Sequence, residues 1–235
     1  LLFKASECYQ ASIKRHPHNI IAKMNLASVY DQQNLWRESD MMYADTWNMT
    51  YAREHRFRMH QKWGDMHMRW ATDLIGRKDY GNVEVHFQNA KKLYNDSKYY
   101  APFHELKKWS VPYTRILISY ADYLDFEGRY AESEKLYQQV KLESDWSNNQ
   151  AYTNLGLHYA QHLYAHGKHL WGQRNPEEAY KLILDARSVL LQYQKSTKLA
   201  DDDLVIKKMK TINAMISFFE KTGIGKNSNA TRNNN

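Results

Sequence analysis

"TRILISYADYLDFEGRYAESEKLYQQVKLESDWS", residues 114–147, carries the spacing that decides the fold. Tyr120 and Ala121, a large residue beside a small one, are followed by Leu124. Gly128 and Tyr130 then mark a break, and Ser133, Tyr137 and Val140 follow at intervals of four and three. Both sets lie on one face of a helix at 3.6 residues per turn. A small side chain beside a large one lets a neighbouring helix approach closely. The stretch therefore reads as helix, short turn, helix.

The same register recurs on either side. Ala5, Tyr9 and Ser12 repeat as Ser39, Tyr43 and Thr46 after 34 residues, and again as Val83, Phe87 and Ala90, and as Ala179, Ile183 and Ala186. Upstream of these second helices stand large-small pairs: Leu26-Ala27 before Tyr30, Trp70-Ala71 before Leu74, and Leu155-Gly156 before Tyr159. The segments "KDYGN" (78–82) and "EGRYAE" (127–132) supply turns, and in "RNPEEA" (174–179) Pro176 suits the first turn of a new helix, with Glu177 and Glu178 at its positive end.

A 34-residue helical hairpin with a large-small pair, a Gly-x-Tyr turn and a small-x3-aromatic-x2-small second helix resembles the tetratricopeptide repeat family, here with divergent repeats. The resemblance implies an all-α fold, a right-handed superhelix of stacked helical hairpins whose first helices line a concave groove that binds peptides or proteins. It covers residues 1–195, about five units with the first truncated. Residues 96–113, with two prolines, read as an insertion forming a loop or short helix. Residues 196–222 read as a capping helix that packs Leu204, Met209, Ile212, Ile216 and Phe219, and 223–235 as a disordered tail. Between Thr46 and Trp70 the first helix is expected to be about two turns longer than the repeat needs, since residues 50–70 carry no breaker, and the one at 157–172 about three turns longer.

Composition agrees with an all-α chain. Of 235 residues, 43% are hydrophobic, with 18 Tyr and 7 Trp but only 9 Gly and 4 Pro, which disfavours turn-rich β architecture and global disorder. The net charge of +7 favours anionic partners, though the basic residues are dispersed. Cys8 stands alone and is read as a small core residue, so no intrachain disulfide or cysteine zinc site is expected. No signal peptide or apolar membrane segment is seen, and a cytoplasmic location is expected. The sequons at Asn48, Asn95 and Asn229 are read as incidental, and the start at Leu1, inside a repeat, as the cut end of a longer protein.

Four candidate sites follow from the residues. In "HYAQHLYAHGKHLWG" (158–172), His158, His162, His166 and His169 fall within roughly 80° of one another around the helix. Zinc needs a third ligand and a supporting shell, and no HExxH or nearby carboxylate accompanies them, so the stripe reads as a partly exposed histidine face and not as a metal site formed by His158, His162 and His166. Arg53, Arg56, Arg58 and Lys62, interleaved with Phe57, Trp63 and Trp70, form a possible basic-aromatic surface for RNA or single-stranded DNA, against which Trp63 and Trp70 keep the seven-residue spacing of core positions. One branch of the family that the chain resembles clamps a C-terminal carboxylate with Asn and Lys of the first helices. Asn25 and Asn154 match that Asn position, Arg69 sits at the equivalent place, and the lysines are missing. Asn25, Arg69, Arg115 and Asn154 are the expected groove contacts. Finally, "GIGK" (223–226) lacks the frame of a phosphate loop, and no nucleophile-base-acid set is recognisable from spacing.

These readings point to a non-catalytic interaction scaffold without cofactors that binds a protein or peptide. Two others stand beside it: a ligand-sensing repeat arm of a larger STAND-type NTPase, and a nucleic-acid-binding helical repeat protein.

Overall fold

The computed structural model describes residues 1–143, 154–197 and 203–224. They form ten α-helices: α1 (Leu2–Arg15), α2 (Ile20–Gln32), α3 (Trp36–Met49), α4 (Arg53–Gly76), α5 (Val83–Ser97), α6 (Leu106–Phe126), α7 (Tyr130–Glu143), α8 (Leu155–Gly172), α9 (Pro176–Thr197) and α10 (Asp203–Lys221). Among the described residues there is no strand, and no helix is long and apolar enough to cross a membrane. Local chemistry sets several ends. Asn19 Oδ1 accepts the Ala22 amide at 3.0 Å and caps α2, while Pro176 opens α9 with Glu177 and Glu178 in its first turn.

The repeat is visible in the backbone of the turns. In the hairpins α2–α3, α4–α5, α6–α7 and α8–α9, one turn residue adopts the left-handed conformation: Asn34 (φ 59°), Lys78 (60°), Gly128 (75°) and Arg174 (63°). Each lies seven positions after a small residue, Ala27, Ala71, Ala121 or Gly167. The next amide folds back onto the first helix: Leu35 to the Tyr30 carbonyl, Asp79 to Leu74, Arg129 to Leu124 and Asn175 to Leu170, at 2.8 to 3.0 Å. These bonds satisfy carbonyls that the helix end would leave unpaired. Ser39, Val83, Ser133 and Ala179, five positions after the left-handed residue, are completely buried.

Only Gly128 meets the turn's requirement without a Cβ penalty, since a left-handed residue with a side chain costs about 1–2 kcal/mol. Lys78→Gly and Arg174→Gly are exposed changes that should each stabilise the chain by up to about 1 kcal/mol, the gain being reduced by glycine's greater unfolded-state entropy. A rise in the urea midpoint of unfolding checks this; a fall would mean that the side chains contribute more than the backbone strain.

The turns also correct the register of the last hairpin. The counterpart of Ala27, Ala71 and Ala121 is Gly167, not Gly156. A Cβ on Gly167 would lie 2.9 Å from Ile183 Cδ1 and 3.0 Å from the Ala179 carbonyl oxygen, so α8 and α9 touch there almost backbone to backbone. Gly156 stands eleven residues earlier, where a Cβ would lie 2.8 Å from the Tyr193 side chain. The extra three turns of α8 thus run along the long C-terminal half of α9 and repeat its close approach.

The chain divides into two units, Leu1–Ile116 and Leu117–Asn235, the division falling inside α6. In the first, Met24, Ala27, Trp36, Tyr43, Met59 and Met66 form a buried cluster flanked by Trp47, Trp63 and Trp70. The segment expected as an insertion is mostly helical. After 3-10 turns at Lys98–Tyr100 and Phe103–Glu105, α6 starts at Leu106 and runs through Pro112, and its Trp109 is 2% exposed. Cys8 is exposed on α1, not a core residue, because the buried stripe of that helix runs through Ser6. In the second unit, α10 packs on α8 and α9 through Phe219, whose ring lies 5.1 Å from Trp171 and 5.5 Å from Tyr180. Val205, Ile212, Ile216 and Phe219 are its buried residues. Leu204, expected inside, is 51% exposed, and Met209 is half-buried, because the buried stripe begins one residue later than the sequence pattern suggested. Most of the expected tail, residues 225–235, lies outside the described residues.

Candidate functional site

In the first unit, a polar row is built where α2 and α4 lie side by side. Asp31 on α2 is 5% exposed, and Arg69 on α4 takes both of its oxygens, with Nε donating to Oδ1 at 3.0 Å and Nη2 to Oδ2. Two parallel charge-assisted bonds are the strongest match for a buried carboxylate. One turn below, the Tyr94 hydroxyl donates to Asp65 Oδ1 at 2.7 Å. Burial raises the Asp65 carboxyl above its ordinary range, while the Tyr94 bond and the guanidinium groups of Arg69 and Arg115 act in the opposite direction. Further along, Lys62 Nζ donates to Ser28 Oγ at 3.3 Å, and Ser28 Oγ lies 3.1 Å from the Tyr43 hydroxyl.

Of the four expected groove contacts, Arg69 is therefore engaged with Asp31. Asn25 is half-buried on α2, and Arg115 is exposed on α6. Asn154 is exposed just before α8, and its carbonyl accepts the His158 amide at 3.0 Å. In the register of the turns, the position two before the small residue is held by Asn25, Arg69, Ser119 and Ala165. Asn154 is not equivalent to Asn25, because the added turns of α8 precede the repeat.

The rings of the basic-aromatic segment are turned inward, while Arg53, Arg58 and Lys62 are exposed. Arg53 Nη2 donates to the Tyr99 carbonyl at 3.0 Å, and Arg56 Nε donates to the Thr50 carbonyl at 2.7 Å. The Arg56 guanidinium sits 4.4 Å from the Trp47 ring centre, and Arg58 pairs with Glu54 at 2.8 Å. Trp63 Nε1 donates to Asp40 at 2.6 Å, Phe57 is 4% exposed, and Trp70 lies between Trp36 (6.4 Å) and His86 (3.8 Å). The rings that would have to stack on bases are thus occupied within the fold, while the cations make their contacts at its surface.

Three buried histidines of this unit, His60, His67 and His86, were not singled out by sequence. His60 stacks on Trp47 at 4.4 Å. His86 Nδ1 lies 3.1 Å from His67 Nδ1, and His67 Nε2 in turn faces Asp40 at 3.3 Å. Burial lowers both His60 and His86 to about 4, and the neighbouring His67 adds to the effect at His86. Their folded values lie below the unfolded value of about 6.5, so the stability they confer as neutral rings is present above pH 6.5 and is lost as pH falls toward 4. Acidification from pH 6.5 to 4.5 should destabilise the first unit by on the order of 2 kcal/mol, and His60→Phe should blunt this. Tryptophan fluorescence during urea titration at the two pH values is the check; identical midpoints would refute it.

In the second unit the histidine stripe is not an exposed face throughout. His162 is 1% exposed, with Nδ1 2.7 Å from Asp125 Oδ1 and Nε2 2.9 Å from Glu134 Oε2. Burial alone would lower its pKa, but the bonds to Asp125 and Glu134 outweigh it and raise the value to about 9. The ring is a buried imidazolium, and with both nitrogens protonated it has no lone pair for a metal. His158 pairs with Asp122 at 2.8 Å, His166 stacks on Tyr130 at 4.9 Å, and His169 Nε2 lies 2.8 Å from Gln173. His158, His162 and His166 therefore point to three different partners, and no cluster of three metal-ligating side chains occurs among the described residues. The carboxylates on His162 come from α6 and α7, so no spacing inside α8 could have revealed them.

These features define an all-α protein of helical hairpins in tetratricopeptide-like register, stacked on one another within each unit. No protein-family model and no curated protein matches the chain. Among solved structures it is similar to YrrB, described as a tetratricopeptide repeat protein with an unusual peptide-binding site. The identity is 14%, over 89% of this chain and 84% of that one, with a TM-score of 0.40.

Proposed function

We propose that the chain is a non-catalytic scaffold that binds a protein or peptide segment along its first helices. One observation carries the reading. The four turns share one backbone form, and the first-helix position just after each small residue holds Ser28 and Thr72 in the first unit and Asp122 and Lys168 in the second, all of them partly or fully exposed. A constant frame with varied polar side chains at equivalent exposed positions is what a recognition surface needs. The titratable clusters with the closest geometry, Arg69 with Asp31 and His162 with Asp125 and Glu134, are saturated by each other, which favours binding over chemistry. The engagement of Phe57, Trp63 and Trp70 within the fold, away from any base, likewise favours a protein ligand over a nucleic acid.

Affinity capture from source-cell lysate, with the chain and a Thr72→Arg, Arg115→Glu variant as parallel baits, tests this. Both residues are exposed, so the variant keeps its fold. A discrete protein retained by the first bait and lost by the second is expected. Equal retention on both, or retention of RNA alone, would overturn the reading.

A further inference from the structure

A cavity of about 610 Å3 in the second unit lies between α8, α9 and α10. Its floor is apolar, formed by Ala160, Leu190 and Ile212, all buried, and Leu204 stands at its edge, 51% exposed. Its walls carry Lys168 on α8 and Lys207 and Lys208 on α10, and among the described residues none that lines it is a carboxylate. A concave apolar floor with polar groups at the rim is the usual form of a ligand site, and 610 Å3 is within the range of such sites.

The cations are placed in two groups. Lys208 Nζ donates to Gln161 Oε1, which puts it beside the N-terminal half of α8. Lys168 lies seven residues further along α8, about 10 Å at 1.5 Å per residue, with its Nζ 5.9 Å from the Tyr164 ring centre. Burial lowers the Lys208 pKa, and the charge of Asp122, which is not among the residues lining the cavity, acts in the opposite direction. A single carboxylate or phosphate headgroup does not reach both positions. An extended peptide does, because three residues of strand span about 10 Å.

We infer that this cavity takes an acidic segment of a partner protein, in which one apolar side chain enters the floor and carboxylates three residues apart meet Lys208 and Lys168. The inference rests on the scaffold reading above and gives it a ligand class and a place. The positive rim supplies charge complementarity, which raises association rates and suppresses basic competitors.

Selection from a phage library of random twelve-residue peptides on the full chain tests it, followed by fluorescence anisotropy of the enriched peptides with purified variants. Enrichment of sequences with two acidic residues three apart around an apolar one is expected. Their affinity should fall at least tenfold in Lys168→Glu and in Lys208→Glu, weaken with added salt, and stay unchanged in Lys181→Glu, an exposed change on α9 outside the cavity. Circular dichroism confirms that each variant is folded. Enriched peptides without acidic pairs, or with affinities indifferent to Lys168→Glu and Lys208→Glu, overturn the assignment. If those peptides respond instead to Thr72→Arg and Arg115→Glu, the scaffold reading stands and only the cavity is wrong. If no peptide is enriched, both fall.

Discussion

His162→Ala is expected to destabilise the second unit by about 3–5 kcal/mol, the range for removing one partner of a buried ion pair and leaving the other uncompensated. Asp125 is contributed by α6, Glu134 by α7 and His162 by α8, so three helices lose a common contact. Tyr137, 1% exposed with its ring 5.1 Å from His162, would line the space left behind. The wild-type chain should also show the effect through pH. The folded pKa, about 9, is above the unfolded value of about 6.5, so the stabilisation is complete below pH 6.5 and is lost as pH rises through 9. Urea denaturation at pH 6.5 and pH 9.5 should give a lower stability at the higher pH, and His162→Ala should remove most of the difference. A variant as stable as the wild type at pH 6.5 would show that the three charges do not hold α6, α7 and α8 together. The two units then respond to pH in opposite directions, the first weakening in acid through His60 and His86 and the second in alkali through His162.

Trp109→Ala should destabilise the first unit by about 3–5 kcal/mol, as for other large aromatic residues removed from a core. The indole is 2% exposed, its ring lies 4.8 Å from that of Tyr113, and Lys98 Nζ stands 4.7 Å from its centre. Nε1 donates to the Tyr94 carbonyl at 2.9 Å and to Ser97 Oγ at 2.8 Å, and neither acceptor can reach water once the site collapses. Trp109→Phe keeps most of the apolar contact but not the donor, and should cost about 1–2 kcal/mol. Equilibrium unfolding followed by circular dichroism separates the two variants. If Trp109→Ala costs less than Trp109→Phe, the segment after α5 is a dispensable insertion.

That segment shows where sequence reading ended. Residues 96–113 carry Pro102 and Pro112 and fall outside the repeat pattern, which reads as an inserted loop or short helix. Yet Pro112 lies inside α6, and Trp109 anchors the N-terminal end of that helix to α5 through Tyr94 and Ser97. Local propensity lost to tertiary burial there. The Cys8 reading failed for a related reason: composition favours burial of a lone cysteine, but the buried stripe of α1 passes through Ser6.

By itself the sequence determined the all-α class, the four hairpins and most of their core. Small and large residues at intervals of three, four and seven report which side of a helix is covered, and that is a local property of the chain. Only the tertiary structure decided which glycine of α8 holds the repeat position, because Gly156 and Gly167 are eleven residues apart and so lie on the same helical face. It alone also decided what the polar residues do. Arg69 meets Asp31 from 38 positions away, and His162 meets Asp125 and Glu134 from 37 and 28. Whether a charge faces solvent, a ligand or a buried counter-charge depends on which helices the turns bring together, and spacing within one helix carries no information about that.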